Sequence, residues 1–175
     1  EVDLSAQTEA LTITGDGGVD KITGGEGVDT IDAAAGADII TIAAAGKGNT
    51  DVMDGGADAD VLQLSTGAHA FADNDKLKNI ETIKTASGGS EVDLSAQTEA
   101  LTITGDGGND IITGGKGIDT INAGDGTDTI TGGAGNDIIT GGAGVDTFKV
   151  DKDTDTIQDL GGASGGEADV LIVSK

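Results

Sequence analysis

A nine-residue unit, G-G-x-G-x-D-x-U-x with U a large apolar residue, recurs ten times and constrains the fold more than any other feature. The units begin at Gly15, Gly24, Ala33, Gly46, Gly55, Gly105, Gly114, Ala123, Gly132 and Gly141. The sixth position is always aspartate: Asp20, Asp29, Asp38, Asp51, Asp60, Asp110, Asp119, Asp128, Asp137 and Asp146. The fourth is glycine in eight units: Gly18, Gly27, Gly36, Gly108, Gly117, Gly126, Gly135 and Gly144. This regularity argues against the flexible linker that 32 glycines alone would suggest.

Each unit divides into a turn and a strand. The glycines of the first six positions accept tight turns, and the last three positions, such as Thr-Ile-Asp, favour β-structure with one apolar side chain inward. The inward residues are Ile22, Ile31, Ile40, Met53, Leu62, Ile112, Ile121, Ile130, Ile139 and Phe148. Two units make a flat coil of eighteen residues, and coils stack about 4.8 Å apart. The sequence therefore predicts an all-β fold, a parallel β-roll or β-solenoid.

The chain also carries a longer repeat of ninety residues. Residues 1–18 and 91–108 are identical, and 14 of the next 23 positions agree. We therefore expect two modules: 1–90, with nonapeptides at 15–63 and a connector at 64–90, and 91–175, with nonapeptides at 105–149 and a connector or cap at 150–175. Because ninety is five times eighteen, we expect the duplication to preserve the stacking register.

Two segments interrupt the nonapeptides. Four extra residues, Ile42 to Ala45, shift the unit at Gly46, and residues 64–104 contain no unit. In this second segment, alternating apolar residues predict further short strands, and a helical turn is expected near Asp75 to Asn79. The apolar positions are Leu77, Ile80, Ile83, Val92, Leu94, Leu101 and Ile103.

Stacked coils place aspartates eighteen residues apart on one edge. Asp20 should lie near Asp38, Asp110 near Asp128 and Asp146, and Asp119 near Asp137 on the opposite edge. Carboxylates about 5 Å apart repel by roughly 3 kcal/mol at an effective dielectric constant of 20, so a cation is needed between them. Carboxylate and backbone carbonyl oxygens suit Ca²⁺ better than Mg²⁺. Zinc and copper prefer His or Cys, and the chain has one His and no Cys.

The net charge of −23 argues against binding to nucleic acid or to anionic membrane surfaces. No apolar run approaches the length of a membrane span, so membrane insertion is not expected. No signal-peptide pattern follows Glu1. Two expectations stay open: a piece of a longer chain, or export by a route that reads another signal.

The units resemble the calcium-binding nonapeptides of the RTX (repeats-in-toxin) family. Residues 24–32, GGEGVDTID, and 141–149, GGAGVDTFK, fit the consensus at every constrained position. Asn49 and Asp58 replace the fourth glycine, which puts calcium sites in the 46–63 stretch in doubt. The segment from Ala59 to Asp110 is also similar to the connectors of RTX-type bacterial surface-layer proteins.

The resemblance implies a β-roll that folds on binding several Ca²⁺ ions, in a bacterial protein exported by type I secretion to the cell exterior or surface. It implies ligands from the ten sixth-position aspartates and from the turn glycines. These glycines are Gly15, Gly18, Gly24, Gly27, Gly36, Gly105, Gly108, Gly114, Gly117, Gly126, Gly132, Gly135, Gly141 and Gly144.

No residue pattern predicts an enzyme. His69, the single histidine, is expected at the surface, and no Ser–His–Asp arrangement can be built around it. Residues 151–159 begin like an EF-hand loop but have Thr156 at the sixth position and Gly162 at the twelfth. A capping coil or an acidic surface segment explains this stretch better.

Three functions remain. The first is a calcium-stabilised structural β-roll that contributes to a self-assembling surface layer, fibre or adhesin, with other copies of the module as partners. The second is a calcium-triggered folding and secretion module of a larger exported enzyme or toxin. The third is a calcium buffer, which predicts no assembly.

Overall fold

The computed structural model describes residues 1–42, 50–71, 73–160 and 168–174, and throughout these ranges the only regular structure is β. None of this described chain forms a helix with the length and apolar character to cross a bilayer. In chain order, the strands are β1 Val2–Asp3, β2 Thr12–Thr14, β3 Lys21–Gly24, β4 Thr30–Asp32, β5 Ile39–Ile42, β6 Val52–Asp54, β7 Val61–Leu64, β8 Gly67–Ala70, β9 Leu77–Lys78, β10 Thr82–Lys84, β11 Ser90–Asp93, β12 Thr102–Thr104, β13 Ile111–Thr113, β14 Thr120–Asp125, β15 Thr129–Thr131, β16 Ile138–Ala143, β17 Thr147–Val150, β18 Thr156–Ile157 and β19 Val170–Val173.

The strands form three parallel sheets that together make a β-roll. One sheet has nine strands in the order β1-β3-β5-β7-β10-β12-β14-β16-β18. The strands between these along the chain build a four-stranded sheet, β2-β4-β6-β9, and then a six-stranded sheet, β8-β11-β13-β15-β17-β19. The chain thus alternates between the nine-stranded sheet and one of the other two, except between β7 and β10, where β8 joins the six-stranded sheet and β9 the four-stranded one. This confirms the predicted parallel β-solenoid.

The core is the row of apolar side chains predicted at the eighth position of each unit. All ten are at most 2 % exposed, and they pack in one cluster with the inward residues of the connector. In register, Ile121 lies between Ile103 and Ile139, and Ile130 lies between Ile112 and Phe148. Each coil therefore stacks like residue on like residue, which explains how a chain with two phenylalanines fills a core.

The connector adds strands to the roll instead of leaving it. The predicted strands are present, and β10 joins β7 to β12 in the nine-stranded sheet. The expected helical turn near Asp75 to Asn79 is wrong, because Leu77 and Lys78 pair with Met53 and Asp54 as β9. Leu77 is buried there, so tertiary pairing determines its conformation.

The expectation of a surface His69 is also wrong, since the side chain is only 1 % exposed. His69 lies in β8, in register with the buried Val92, and thus on the inward face. Its Nε2 lies 2.9 Å from the Ser65 carbonyl oxygen. Burial lowers the pKa of His69, which favours the neutral ring.

The ninety-residue duplication does not preserve the register. In the nine-stranded sheet, Ile22 pairs with Ile40, Ile40 with Leu62, Leu62 with Ile83, and Ile83 with Ile103. The last three of these coils are 22, 21 and 20 residues long, because the insertion and the connector lengthen them. Ninety residues therefore span four and a half coils, and equivalent strands of the two copies lie in different sheets.

Strand β3 of the first copy illustrates this: it lies in the nine-stranded sheet, and its counterpart β13 lies in the six-stranded one. Most of the Ile42 to Ala45 insertion, together with Gly46 and Asn49, lies outside the described residues.

The C-terminal part continues the roll. Thr156 and Ile157 form β18, which pairs with Ile138 and Ile139 of β16. Residues 151–159 are thus part of a further coil, as the capping interpretation predicted, while Gly162 lies outside the described residues. Strand β19 adds to β17, with Leu171 opposite Phe148. All four β19 residues are between 43 and 62 % exposed, so this end of the six-stranded sheet is open.

Candidate metal sites

Every sixth-position aspartate directly precedes a strand, and the sheets therefore gather the aspartates into three columns. The nine-strand column contains Asp20, Asp38, Asp60, Asp119 and Asp137; the six-strand column contains Asp110, Asp128 and Asp146; the four-strand column contains Asp29 and Asp51. Asp20 is half-buried, and the other nine are at most 4 % exposed. Acidic side chains are rarely fully buried in a protein core, and nine are buried in this chain of 175 residues.

In nine of the ten aspartates, all except Asp20, Oδ1 accepts a backbone hydrogen bond from the coil before. Oδ1 of Asp128 accepts a hydrogen bond from the backbone N–H of Asp110 at 2.7 Å, and Oδ1 of Asp146 accepts one from Asp128 at 2.9 Å. Asp119 and Asp137 are joined in the same way at 2.8 Å, and Asp20 and Asp38 at 2.7 Å. These contacts confirm the predicted neighbours on each edge.

The second oxygen, Oδ2, points into the turn of its own unit. In Asp29 and Asp119 it accepts a hydrogen bond from the N–H of Gly25 or Gly115, at 3.1 and 2.7 Å. In six other carboxylates of the described chain, Oδ2 is buried without a hydrogen-bond partner. These are Asp38, Asp60, Asp110, Asp128, Asp137 and Asp155. A buried, unpartnered carboxylate oxygen is costly unless a cation binds it.

The turn glycines allow this packing because no Cβ fits at most of them. At the seven first-position glycines that the structure describes, a Cβ would meet the Oδ2 of the same unit's aspartate; these are Gly15, Gly24, Gly55, Gly105, Gly114, Gly132 and Gly141. At all fourth-position glycines except Gly18, a Cβ would meet backbone atoms of the neighbouring coil. Gly135 is one example: its φ is +132°, and its Cβ would collide with the Gly117 carbonyl oxygen.

Consequently, the turns stack with their carbonyl oxygens close to the next turn. Where Asp58 replaces the fourth glycine, its φ of +81° keeps the left-handed conformation, which aspartate tolerates better than most residues.

Three acidic residues extend the columns beyond the predicted set. Glu81 Oε2 accepts a hydrogen bond from Asp60 N–H at 2.8 Å, Asp155 Oδ1 accepts one from Asp137 at 3.1 Å, and Asp169 Oδ1 accepts one from Asp146 at 2.9 Å. Asp155 and Asp169 each stand two residues before an apolar residue, as in the nonapeptides. This D-x-U signal was readable in the sequence. Glu81 has no such signal, since glutamate never fills the sixth position.

Burial raises the pKa values of several column aspartates. The pKa of Asp128 is raised to about 6, first by burial and then by the charges of Asp146 and Asp110. The pKa of Asp137 is raised to about 6 by burial, with a further contribution from Asp119 and Asp155. Burial also raises the pKa values of Asp60, Asp110 and Asp119. Without a bound cation, the negative charges of these ionised carboxylates are therefore poorly compensated.

The donor set fits a hard divalent ion. Across the described residues, no three His, Asp or Glu side chains are grouped closely enough to form a metal site by themselves. The remaining donors are the backbone carbonyls of the stacked glycine turns, which lie beside the aspartates. Oxygen donors that mix carboxylates with carbonyls are those Ca²⁺ prefers, and the variable geometry of turns suits its flexible coordination.

The family model for the RTX calcium-binding nonapeptide repeat matches this chain in four copies, at residues 12–40, 45–68, 102–121 and 122–157. Among curated proteins, no match is found. The matched segments cover more than half of the chain and contain all ten sixth-position aspartates. The same segments contain the buried aspartate columns and the close-packed turns. The chain belongs to the RTX calcium-binding nonapeptide repeat family, and its β-roll is a calcium-binding structural module.

Proposed function

We propose that this protein is an extracellular calcium-binding structural β-roll that folds on Ca²⁺ and contributes to a self-assembling bacterial surface layer, fibre or adhesin. One observation carries the proposal: the aspartates are buried in columns, and six carboxylates of these columns have an Oδ2 atom that is buried without a hydrogen-bond partner, those of Asp38, Asp60, Asp110, Asp128, Asp137 and Asp155. Without a cation, these carboxylates repel one another and lack compensation for burial. A bound Ca²⁺ ion screens this repulsion and compensates the buried charges, so binding and folding are coupled.

The ions lie between successive turns in each column. Each is held by the sixth-position aspartates and by carbonyl oxygens of the fourteen turn glycines named above. In the six-strand column, this places ions beside Asp110, Asp128 and Asp146, and in the nine-strand column beside Asp119 and Asp137. Sites formed by residues 46–63 are the weakest, because two of the fourth glycines are replaced there.

The assembly part of the proposal rests on the two modules, 1–90 and 91–175, and on the ends of the roll. Among the described residues, strands β1, β2, β18 and β19 each pair with a single neighbour, so one edge of each has no partner strand there. Solenoid ends without caps extend by adding further coils. Export through type I secretion to the bacterial surface is included in the proposal because proteins of this family are typically exported.

A second candidate is a calcium-triggered folding and secretion module of a larger exported enzyme or toxin. The coupling of folding to calcium favours it equally, since calcium is scarce inside cells and abundant outside. The two candidates differ in self-association. A module that serves only folding leaves the rolls monomeric, and an assembly module does not.

Sedimentation velocity in chelator, in millimolar Ca²⁺ and in millimolar Mg²⁺ tests the proposal. Compaction in Ca²⁺ followed by large species supports the assembly function, and compaction to a monomer favours the second candidate. The absence of a calcium-specific change would refute calcium-coupled folding. Asp119→Ala combined with Asp137→Ala tests the ligands: an unchanged calcium stoichiometry and folding midpoint would show that this column is assigned wrongly.

A further inference from the structure

The connector contains a turn that stacks like a nonapeptide, although its sequence does not fit the consensus. Residues 85–93, TASGGSEVD, have Thr85 where the units have glycine or alanine, and Ser90 where the units have aspartate. The glycine of the fourth position, Gly88, and the apolar residue of the eighth, Val92, agree with the unit. This stretch lies outside the segments that match the family model.

Backbone hydrogen bonds align this turn with the turn of the unit that begins at Gly105. The Thr85 N–H donates to the Thr104 carbonyl at 3.0 Å, and the Gly88 N–H donates to the Gly107 carbonyl at 2.6 Å. The next pair of turns along the same edge is joined in the same way at its first and fourth positions. The two turns are therefore stacked position on position.

The left-handed glycine and the inward apolar residue also occupy the places they have in a nonapeptide. The φ of Gly88 is +132°, the value found at the fourth-position Gly135. Val92 lies opposite Ile112 in the strand pairing and is 1 % exposed. Residues 85–93 thus form a further turn-and-strand unit, with a serine at the sixth position.

Ser90 takes the place of an aspartate at the connector end of the six-strand column. Its backbone N–H donates to Oδ1 of Asp110 at 2.6 Å, as the N–H of Asp110 donates to Oδ1 of Asp128. The side chain behaves differently from the aspartates, since Ser90 Oγ is buried and has no hydrogen-bond partner among the described residues. Its oxygen is thus not engaged in joining two coils.

Three buried side-chain oxygens lie at this pair of turns without a hydrogen-bond partner in the described chain: Thr85 Oγ1, Ser90 Oγ and Asp110 Oδ2. The three residues are 8, 4 and 1 % exposed. Burial raises the pKa of Asp110, and the nearby Thr85 hydroxyl is one of the groups that act in the opposite direction. Buried polar atoms are costly without a partner, so three of them in one place indicate a shared ligand.

A cation can satisfy all three atoms, because a carboxylate and two hydroxyls each offer lone pairs. Such oxygen donors, together with the carbonyls of glycine-rich turns, are those Ca²⁺ prefers. Two adjacent nonapeptides bring two sixth-position aspartates to a site, whereas this pair of turns brings Asp110 and a serine. Because fewer charged ligands lower the affinity of a calcium site, the ion should bind more weakly here than in the columns.

We propose that the Ca²⁺ ion beside Asp110 is held between turns 85–90 and 105–110, with the hydroxyl oxygens of Thr85 and Ser90 as ligands. This rests on the proposed calcium binding and extends it to connector residues outside the nonapeptide consensus. The ion joins the connector to the second run of nonapeptides, and this site fills after the others of its column. A surface cavity of about 570 Å³, lined in part by Ser90, connects this region to solvent.

The loss variant is Thr85→Val with Ser90→Ala, which removes both hydroxyls and keeps side chains of similar size. Its matched control is Thr102→Val with Ser87→Ala, the same changes at two exposed residues. An anomalous difference map for calcium should show the ion between the two turns in the original chain and in the control. In the loss variant this ion should be missing while the other ions of the column remain, and calorimetric titration should count one ion fewer.

The gain variant is Ser90→Asp with Thr85→Ala, which gives the turn the first and sixth residues of the unit at Ala123. The added carboxylate should raise the calcium affinity of this site at least tenfold. Its control, Ser87→Asp with Thr85→Ala, adds the same charge at an exposed residue and should not raise the affinity. The amide signal of Gly88, followed by NMR during calcium titration, measures the affinity at this turn.

An unchanged ion count in the loss variant, or a water molecule in place of the ion in the original chain, would overturn the assignment. A gain variant that binds no more tightly than its control would do the same, and it keeps the test decisive if the loss variant does not fold. Either result, with ions present elsewhere in the columns, would leave the proposed function intact. A chain that binds no calcium at all would contradict the proposed function itself.

Discussion

Asp110 and Asp128 occupy neighbouring coils, and the backbone N–H of Asp110 donates to Oδ1 of Asp128 at 2.7 Å while Oδ2 of Asp128 is buried without a hydrogen-bond partner. One oxygen therefore serves the fold directly, and the other is the atom that we propose binds a cation. This division of the carboxylate explains why an aspartate recurs at this position, since a shorter or neutral side chain cannot perform both tasks.

The first prediction concerns Asp128→Asn. The amide keeps an oxygen for Asp110 N–H but replaces the charged Oδ2, so calcium binding in the six-strand column should weaken. We expect a loss of calcium affinity of about tenfold or more, since loss of an outer-shell partner alone costs roughly that much. Isothermal titration with Ca²⁺ measures it.

The matched control for Asp128→Asn is Asp75→Asn, which makes the same charge change at an exposed connector residue. It should leave the affinity almost unchanged. Equal losses in both variants would mean that overall charge, and not the column, determines binding.

The second prediction concerns pH in the absence of calcium. The pKa values of Asp128 and Asp137 are about 6 in the folded chain, above the ordinary value of 3.8 that they regain on unfolding. The folded state therefore binds more protons than the unfolded state between pH 4 and 6. Its stability should be greatest below about pH 4, fall as the pH rises, and reach its lower limit above about pH 6.

Circular dichroism in calcium-free buffer across this range measures the pH effect as the gain of β-structure on acidification. The double variant Asp128→Asn with Asp137→Asn should show a flatter dependence. A stability that rises with pH over the same window would contradict the raised pKa values. With calcium present, protons compete for the same oxygens, so calcium affinity should fall below about pH 6.

The third prediction compares identical residues of the two copies. Leu94→Ala removes a side chain that is fully buried beneath the connector and should cost about 2–5 kcal/mol of unfolding free energy. Leu4→Ala changes the half-buried counterpart and should cost clearly less, about 1 kcal/mol. Chemical denaturation in saturating calcium measures both. Equal costs would show that the N-terminal face is as well packed as the second copy.

The fourth prediction concerns the close approach of stacked turns. Gly135→Ala puts a Cβ against the Gly117 carbonyl at a φ of +132° and should destabilise the calcium-loaded roll by about 1 kcal/mol or more. Gly107→Ala is the control, since a Cβ there meets nothing within 4 Å and the φ is not positive. Thermal unfolding in calcium should separate the two variants.

The fifth prediction is a stabilising change. Ala34 has a φ of +78°, a conformation that its counterpart Gly124 adopts at +103°. This conformation destabilises a non-glycine residue by about 1–2 kcal/mol. Glycine removes that strain, but it also makes the unfolded chain more flexible, so only part of the gain remains. Ala34→Gly should therefore raise the unfolding free energy by up to about 1 kcal/mol. The neighbouring Ala35→Gly, without a positive φ, should not raise it.

The nonapeptide spacing predicted the fold, the inward apolar row and the aspartate neighbours, because each depends on local turn and strand geometry. It did not predict which sheet each copy joins. That depends on the lengths of coils that contain the insertion and the connector, and no nonapeptide marks those lengths.

The surface position expected for His69 and the helical turn expected near Asp75 to Asn79 are wrong for a related reason. The conformations of His69 and Leu77 result from pairing with Val92 and Met53, partners that are 23 and 24 residues away. Of the additional column members, Asp155 carried a readable signal and Glu81 did not.

The most direct test of the central claim is a crystal structure of the calcium-loaded protein with an anomalous difference map for calcium. We predict ions between successive turns, with ligand distances of about 2.3–2.6 Å from the carboxylates of the six-strand column and from glycine-turn carbonyls. A folded roll without ions in these columns, or with ions only at exposed acidic residues such as Asp153, would contradict the account.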